Sequence, residues 1–436
     1  MTSDKGTGRQ RRRLTATVTD LEVRRQRAFL VGMEWGGMAT ADAERSLDEL
    51  ELLTETAGPE PVDRELVRRA QPDAGLFLGK GKAADLARLT KALDIDVVIF
   101  DNELTPAQQR NLNDLFGCDV VDREGLILDI FAQHATSREG TIQVELALYR
   151  YNLPRLRGMG GSLSQQGAGV LARGPGETKL ETDRRRTLQR IARLEKELAA
   201  SSRHRRTQRK ARRNSNLPTI AIVGYTNAGK STLLNSLTDS DVMAADQLFA
   251  TLDSTVRRLE LADGRPALLS DTVGFVRRLP HQLVEAFRST LAEVTEADLL
   301  LHVVDASDTD PEGQIAAVRE VLAEIDAVAI PELLLLNKSD IADPLSMRRL
   351  RNLHPEAVAA SAMTGEGLPD LLEAVTEMTR PAMVTLTLDI PYQRGDVAAA
   401  AHRDGEVLTE KHDEEGTILE VRVPARLADG FAAFVR

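Results

Sequence analysis

Residues 219–237, TIAIVGYTNAGKSTLLNSL, decide the fold. Thr219–Val223 is an apolar, β-branched run that reads as a buried strand. Gly224-Tyr225-Thr226-Asn227-Ala228-Gly229-Lys230-Ser231 follows at once and fits G-x4-G-K-S. After Thr232, Leu233, Leu234 and Leu237 open an apolar helix face. Strand, loop and helix in that order form the setting in which this motif holds phosphate. Glycines let backbone N–H groups turn inward, and the helix N-terminus adds partial positive charge. Lys230 is placed to neutralise β- and γ-phosphate charge, and the Ser231 hydroxyl to ligate Mg²⁺.

A phosphate loop does not choose between adenine and guanine; a second stretch does. Leu333–Leu336 reads as a buried strand that delivers Asn337-Lys338-Ser339-Asp340, an N-K-x-D motif. A carboxylate can accept from both N1–H and the 2-amino group of guanine. Adenine would leave Asp340 without those donors. Val358–Ala360 leads into Ser361-Ala362-Met363, a candidate loop to buttress the base.

Between these motifs, Pro266–Ser270 is expected to be a strand ending in Asp271-Thr272-Val273-Gly274, a D-x-x-G motif. Asp271 would hold Mg²⁺ through water, and the Gly274 N–H would meet the γ-phosphate. Upstream, Phe249-Ala250-Thr251-Leu252-Asp253 supplies Thr251 as the candidate switch threonine and third Mg²⁺ ligand. Lys230, Thr251 and Gly274 are thus the expected catalytic set, with GTP or GDP as nucleotide and Mg²⁺ as cofactor. Where many GTPases carry a water-orienting glutamine, this chain has Phe275, so slow intrinsic hydrolysis is expected.

Outward from this domain, the sequence suggests an α/β, multidomain chain. Residues 1–24 read as a disordered basic tail. Residues 25–136 alternate strand and helix, as a parallel sheet with helices on its faces requires. Thr105-Pro106-Ala107-Gln108 marks a helix start by N-cap, proline and capping box. Residues 137–216 read as an antiparallel helical hairpin. Ile142, Leu146, Tyr149 and Leu153 line one helix up to Pro154, and Leu188, Ile191, Leu194 and Leu198 line a second that begins near Leu180. Between them Gly158–Gly176 contains seven glycines. Residues 217–380 are the expected GTPase domain. Residues 381–436 form a small C-terminal α+β unit, with strands at Val384–Leu388 and Thr417–Val423 around an irregular Arg394–Lys411 stretch.

Gly79-Lys80-Gly81-Lys82 lacks phosphate-loop spacing and reads as a turn before a helix. Asp101 and Asp122 end strands of one sheet, a second place where a ligand could sit.

Composition narrows the function class. A net charge of −11 argues against general nucleic-acid binding, yet Arg203–Arg213 carries seven Lys or Arg and no acid, suited to an RNA backbone. Aromatics at 3% argue against base stacking as the main recognition mode. No apolar run reaches the ~18–20 residues of a membrane-spanning helix, and the basic N-terminus lacks the apolar stretch of a secretory signal. Cys118 is the single cysteine, which excludes an intramolecular disulfide and fits a reducing cytosol. The expected place is the cytoplasm or a membrane surface, with the chain monomeric.

Four further stretches carry a family likeness: Phe77–Lys82 (FLGKGK), Phe100–Asn111 (FDNELTPAQQRN), Asp122–Ala132 (DREGLILDIFA), and Tyr151–Leu156 (YNLPRL) through Arg173–Glu181 (RGPGETKLE). With the FATLD run and Phe275, they resemble the HflX family of bacterial GTPases over about residues 25 to 380. His134, where family members often carry Arg, is a small departure. The resemblance implies a cytosolic GTPase that binds the large ribosomal subunit and its RNA and splits stalled or idle ribosomes under stress. It also implies a glycine-rich hairpin tip that approaches the peptidyl-transferase centre. GTPases of ribosome assembly, such as the Obg and Era groups, would share the nucleotide motifs but are not expected to share that hairpin. A nucleotide-gated RNA-binding module that rarely turns over is the third reading.

Overall fold

The computed structural model describes residues 17–19, 22–156, 175–213, 217–238, 248–249, 255–277, 288–380, 383–413 and 415–436. The chain divides into two compact units, Met1–Leu372 and Glu373–Arg436.

The first unit opens with two short antiparallel strands, β1 (Thr17–Thr19) and β2 (Glu22–Arg24). A four-stranded, all-parallel sheet follows, built from β3 (Arg27–Glu34), β4 (Glu60–Arg68), β5 (Val97–Phe100) and β6 (Asp119–Asp122) in the order β4-β3-β5-β6. The period-2 alternation of a strand sends Phe29, Val31, Val98 and Phe100 to one face. There they meet α2 (Lys80–Ala92) and α3 (Pro106–Phe116). Ala28, Leu30, Val97 and Ile99 go to the other, against α1 (Thr40–Ala57) and α4 (Arg123–His134). α3 starts as its sequence requires. Thr105 accepts from Gln108 N, and Gln108 reaches back to the Thr105 N–H.

α5 (Arg138–Arg155) packs against the 39-residue α6 (Pro175–Arg213). Ile142, Leu146, Ile191 and Leu194 form the seam, with Tyr149, Leu153 and Leu198 beside it. Arg150–Glu195 and Arg190–Glu145 ion pairs flank it at 2.8 Å. Two boundaries differ from expectation. α5 continues through Pro154, because a proline in the last turn forfeits one hydrogen bond and Leu156 N still reaches Asn152 O. α6 starts at Pro175, five residues early, since proline suits the first helical turn. Most of the glycine-rich stretch, residues 157–174, lies outside the described residues.

The second sheet of this unit has six strands: β7 (Thr219–Gly224), β8 (Thr255–Glu260), β9 (Pro266–Asp271), β10 (Leu299–Asp305), β11 (Glu332–Asn337) and β12 (Val358–Ala359). Their order is β12-β11-β10-β7-β9-β8, and every neighbouring pair is parallel except β8–β9. The apolar core beside α1 and α4 runs on without a break into this sheet. It takes in Ala221, Val223, Phe249, Phe275 and Val276.

In the second unit, β13 (Met383–Pro391), β14 (Glu406–His412) and β15 (Gly416–Pro424) form an antiparallel sheet ordered β13-β15-β14. Helices Gly395–Asp404 and Ala425–Phe431 cover its core of Leu388, Ile390, Leu419, Val421 and Val423. The Arg394–Lys411 stretch is therefore regular, against the sequence reading. Its helix packs on small residues such as Ala401, and β14 is an edge strand with mostly exposed side chains. Among the described residues no helix is long and apolar enough to cross a membrane.

Candidate nucleotide-binding site

Parallel pairing places four loops at one edge of the six-stranded sheet, outside the carboxyl ends of β7, β9, β11 and β12. Ligands of open α/β sheets bind at such an edge.

The first loop, Gly224–Ser231, is closed by approaches that only glycine tolerates. A Cβ at Gly224 would lie 2.2 Å from Val303 O. One at Gly229, where φ is +92°, would lie 2.3 Å from Asn337 Nδ2. Asn227 also has positive φ, at +60°, which asparagine bears better than most residues. α7 (Lys230–Thr238) begins at the lysine itself. Lys230 is buried, and Nζ donates to Tyr225 O at 2.6 Å. Burial lowers its pKa to about 8, partly offset by Asp271.

Ser231 Oγ donates to Asp271 Oδ2 at 2.8 Å, so two hard oxygen donors meet beside the lysine. Thr272 turns away, its hydroxyl donating to Ile222 O in β7. Gly274 lies directly on the phosphate loop. A Cβ there would meet Thr226 Cγ2 at 2.7 Å, Thr226 Cα at 2.9 Å and Lys230 Nζ at 3.1 Å. The backbones then join, with Thr226 N donating to Phe275 O (2.7 Å) and Phe275 N to Gly224 O (3.1 Å). The Phe275 ring is 1% exposed and sits in the core shared with α1 and α4.

Asn337 stitches three loops together. Its Nδ2 donates to Ala228 O at 2.8 Å, and its Oδ1 accepts from Ala362 N at 2.9 Å. Lys338 takes positive φ (+59°), and its Nζ pairs with Asp305 at 2.6 Å. Ser339 N reaches Ala360 O, and Asp340 is left exposed at the edge. Ser361 and Ala362 are buried whereas Met363 is 82% exposed. Thr232 is half-buried in the first turn of α7, behind the loop. Phe249 packs edge-on against Phe131 of α4, ring centres 4.6 Å apart. Ala250, Thr251, Leu252 and Asp253 lie outside the described residues.

The second ligand place suggested by Asp101 and Asp122 is taken by the chain's own groups. Asp101 accepts from Ser46 and Arg123. Asp122 caps α4 at Gly125 N and accepts from Leu104 N, Tyr151 and Arg155. Of the Gly79–Lys82 stretch read as a turn before a helix at Ala83, only Gly79 precedes α2; Lys80, Gly81 and Lys82 already form its first turn, and Lys82 pairs with Glu65.

Glu49, Arg123 and Arg277, which lie outside every nucleotide motif, hold the phosphate loop to the N-terminal sheet through Tyr225. Tyr225 OH donates to Glu49 Oε1 at 2.6 Å and accepts from Arg277 N at 2.7 Å. Arg123, 2% exposed, pairs with Glu49 at 2.8 Å and with Asp101 at 2.7 Å. Burial and then Glu49 raise the Tyr225 phenol pKa, so it stays a donor. Burial opposes the charge of Arg123, but Glu49 and Asp101 outweigh it and raise its pKa.

Known proteins resemble this chain segment by segment. Residues 44–132 match a family described as GTP-binding GTPase N-terminal, 134–212 its middle region, and 219–338 a family described as 50S ribosome-binding GTPase. GTPase HflX of Escherichia coli (strain K12) is 45% identical over 87% of this chain and 89% of its own length. That of Caldanaerobacter subterraneus subsp. tengcongensis is 41% identical over 94% of both. A GTP-binding protein of Sulfolobus solfataricus, solved with GDP, aligns over 81% of this chain and 98% of its own at 25% identity, TM-score 0.43. Sharing two fifths or more of its residues with these curated relatives along nearly its whole length, the chain belongs to the HflX family of GTPases and hydrolyses GTP.

Proposed function

We propose that this GTPase acts on the large ribosomal subunit, binding it in the GTP state and separating stalled or idle ribosomes. The observation that carries this reading is the match of residues 219–338 to a 50S ribosome-binding GTPase family, coupled in one chain to α6. That helix is about 58 Å long at 1.5 Å per residue. Its last eleven residues, Arg203–Arg213, hold seven Lys or Arg, and β7 begins six residues later. In sequence, a basic stretch suited to an RNA backbone thus shortly precedes the strand that carries the phosphate loop.

In this reading the Gly224–Ser231 backbone cradles the phosphates and Lys230 neutralises them. Gly274 N is the donor to the γ-phosphate, and Asp340 reads guanine. Asn337 and the backbone of Ser361–Met363 fix the walls around the base. Ser231 and Asp271, two oxygen donors already within hydrogen-bond distance, suit a hard divalent cation, and Thr251 would join them. Mg²⁺, when bound there, supplies positive charge against the phosphates. Phe275 is buried and cannot orient water, so free-state hydrolysis is slow and a partner that orders the switch segments raises it. The cytoplasm, at the ribosome, is the proposed place of action, and a monomer the proposed state.

The test is GTP hydrolysis with and without purified large subunits at fixed salt. Strong stimulation, followed by loss of 70S particles in a splitting assay, is the expected result. Unstimulated hydrolysis with intact GTP binding would refute the ribosome reading and favour an assembly or signalling role.

A further inference from the structure

Three bonds hold the segment after Gly274 in register with the phosphate loop. Two are backbone bonds of the kind any residue makes: Thr226 N to Phe275 O and Phe275 N to Gly224 O. The third runs through a side chain, with Arg277 N donating to the Tyr225 phenol oxygen at 2.7 Å. That phenol donates in turn to Glu49 of α1, 176 residues away in sequence. Glu49 is clamped by Arg123 at the start of α4, and Arg123 by Asp101 at the end of β5. Ser46, also on α1, closes the chain on Asp101 at 2.7 Å. A second link from the same helix lies alongside. Asp310 accepts from the Arg277 guanidinium and lies 3.5 Å from Arg45.

We propose that Tyr225 and Glu49 are positioning residues for hydrolysis: the phenol fixes the switch segment over the phosphate loop, and the carboxylate, set by Arg123, fixes the phenol. The chemistry explains why such a device matters in this chain. With Phe275 in place of a hydrogen-bonding side chain, attack on the γ-phosphate depends on where the backbone of residues 274–277 lies. Misplacement by a fraction of an ångström lowers the rate without weakening nucleotide binding. Tyr225, Arg123 and Asp101 are 7%, 2% and 5% exposed. Water cannot replace a lost partner there, and such networks act as a unit. Neither side chain touches the reacting atoms, residue 225 meeting the phosphates through its backbone alone; both side chains act through the segment after Gly274. The proposal rests on the assignment of the phosphate loop and Gly274 made above.

The experiment uses the full chain, with single-turnover GTP hydrolysis and binding of fluorescent GTP and GDP measured side by side. Tyr225→Phe keeps the ring and removes the hydroxyl. The expected result is a fall in the hydrolysis rate of about tenfold with affinities changed less than about threefold. Glu49→Gln keeps an oxygen to accept from the phenol and should hydrolyse near the parent rate. Glu49→Leu should match Tyr225→Phe, and the double variant should fall no further. Tyr225→Phe and Glu49→Gln suffice should Glu49→Leu fail to fold. A Tyr225→Phe rate equal to or above the parent's, a fall accounted for by lost affinity, or losses that multiply in the double variant would overturn the proposal. Unaltered GTP affinity in Lys230→Ala would instead overturn the phosphate-loop assignment, so the two failures are distinguishable.

Discussion

Replacing Gly274 by alanine tests how closely the switch segment lies on the phosphate loop. The added methyl would stand 2.7 Å from Thr226 Cγ2, 2.9 Å from Thr226 Cα and 3.1 Å from Lys230 Nζ. A side-chain methyl can rotate away, but the backbone carbon cannot, because Thr226 N is bonded to Phe275 O at 2.7 Å. The segment must lift, at an overpacking cost of about 1–3 kcal/mol. Lifting removes the Gly274 N–H from its proposed partner. One lost donor to developing phosphate charge is worth about 10²-fold in rate. GDP has no γ-phosphate, so its affinity should stay within about threefold of the parent's. Single-turnover hydrolysis and GDP titration on Gly274→Ala measure the two effects separately. Adding Thr226→Ser removes Cγ2 but leaves the backbone of residue 226 in the way, so recovery should be partial, about tenfold or less. Parent-like hydrolysis by Gly274→Ala would refute the reasoning, since the methyl would then have found room that this geometry denies it.

Asp340→Asn should cost GTP about 10²-fold in affinity while xanthosine nucleotides, which offer an acceptor at C2, gain; unchanged selectivity in a competition titration would count against the guanine assignment. Lys230, held at about pH 8 by burial against an ordinary 10.5, carries a desolvation penalty of about 3 kcal/mol. Its charged form is the disfavoured one, so the penalty is fully present below pH 8 and disappears as pH rises towards 10.5. The stability advantage of Lys230→Met over the nucleotide-free parent, measured by urea unfolding, should therefore shrink between pH 8 and 10; a constant gap would contradict it. Phe131→Ala should destabilise the first unit by about 3–5 kcal/mol by emptying the core on which Phe249 rests, and urea midpoints check this. Deleting residues 158–176 should leave GTP binding intact and abolish stimulation by large subunits; persistence of both would reduce that stretch to a linker.

Local signals carried most of the fold. β7, β9 and β11 were legible because short apolar runs ended in G-x4-G-K-S, D-x-x-G and N-K-x-D, and α3 because Thr105 and Gln108 make a capping box. The Arg394–Lys411 stretch hid a helix and a strand because alanine gives little contrast between faces and an edge strand need not alternate. Pro154 misled because the cost of proline depends on how much helix follows it. The larger gap concerned Glu49, Arg123, Phe131 and Arg277. None has a neighbour-scale pattern that marks its role. Arg123 and Phe131 stood inside a stretch noted for family likeness, yet their partners lie in elements far away in sequence. Arg123 looks like an ordinary first-turn helix residue, and only the docking of two sheets shows it to be buried.

Asn337 has a consequence for ligand recognition as a whole. Because one amide ties the loop at Ala228 to the loop at Ala362, the halves of the proposed cradle are fastened to each other by the chain's own bonds. The nucleoside and phosphate parts of a ligand then behave like two ends of a bidentate chelate, where docking one end presents the other at high effective concentration. Guanosine and pyrophosphate added separately would gain little from each other, whereas joined as GDP they bind as one. The same fastening means that a loop-length change on either side of Asn337 is felt at both.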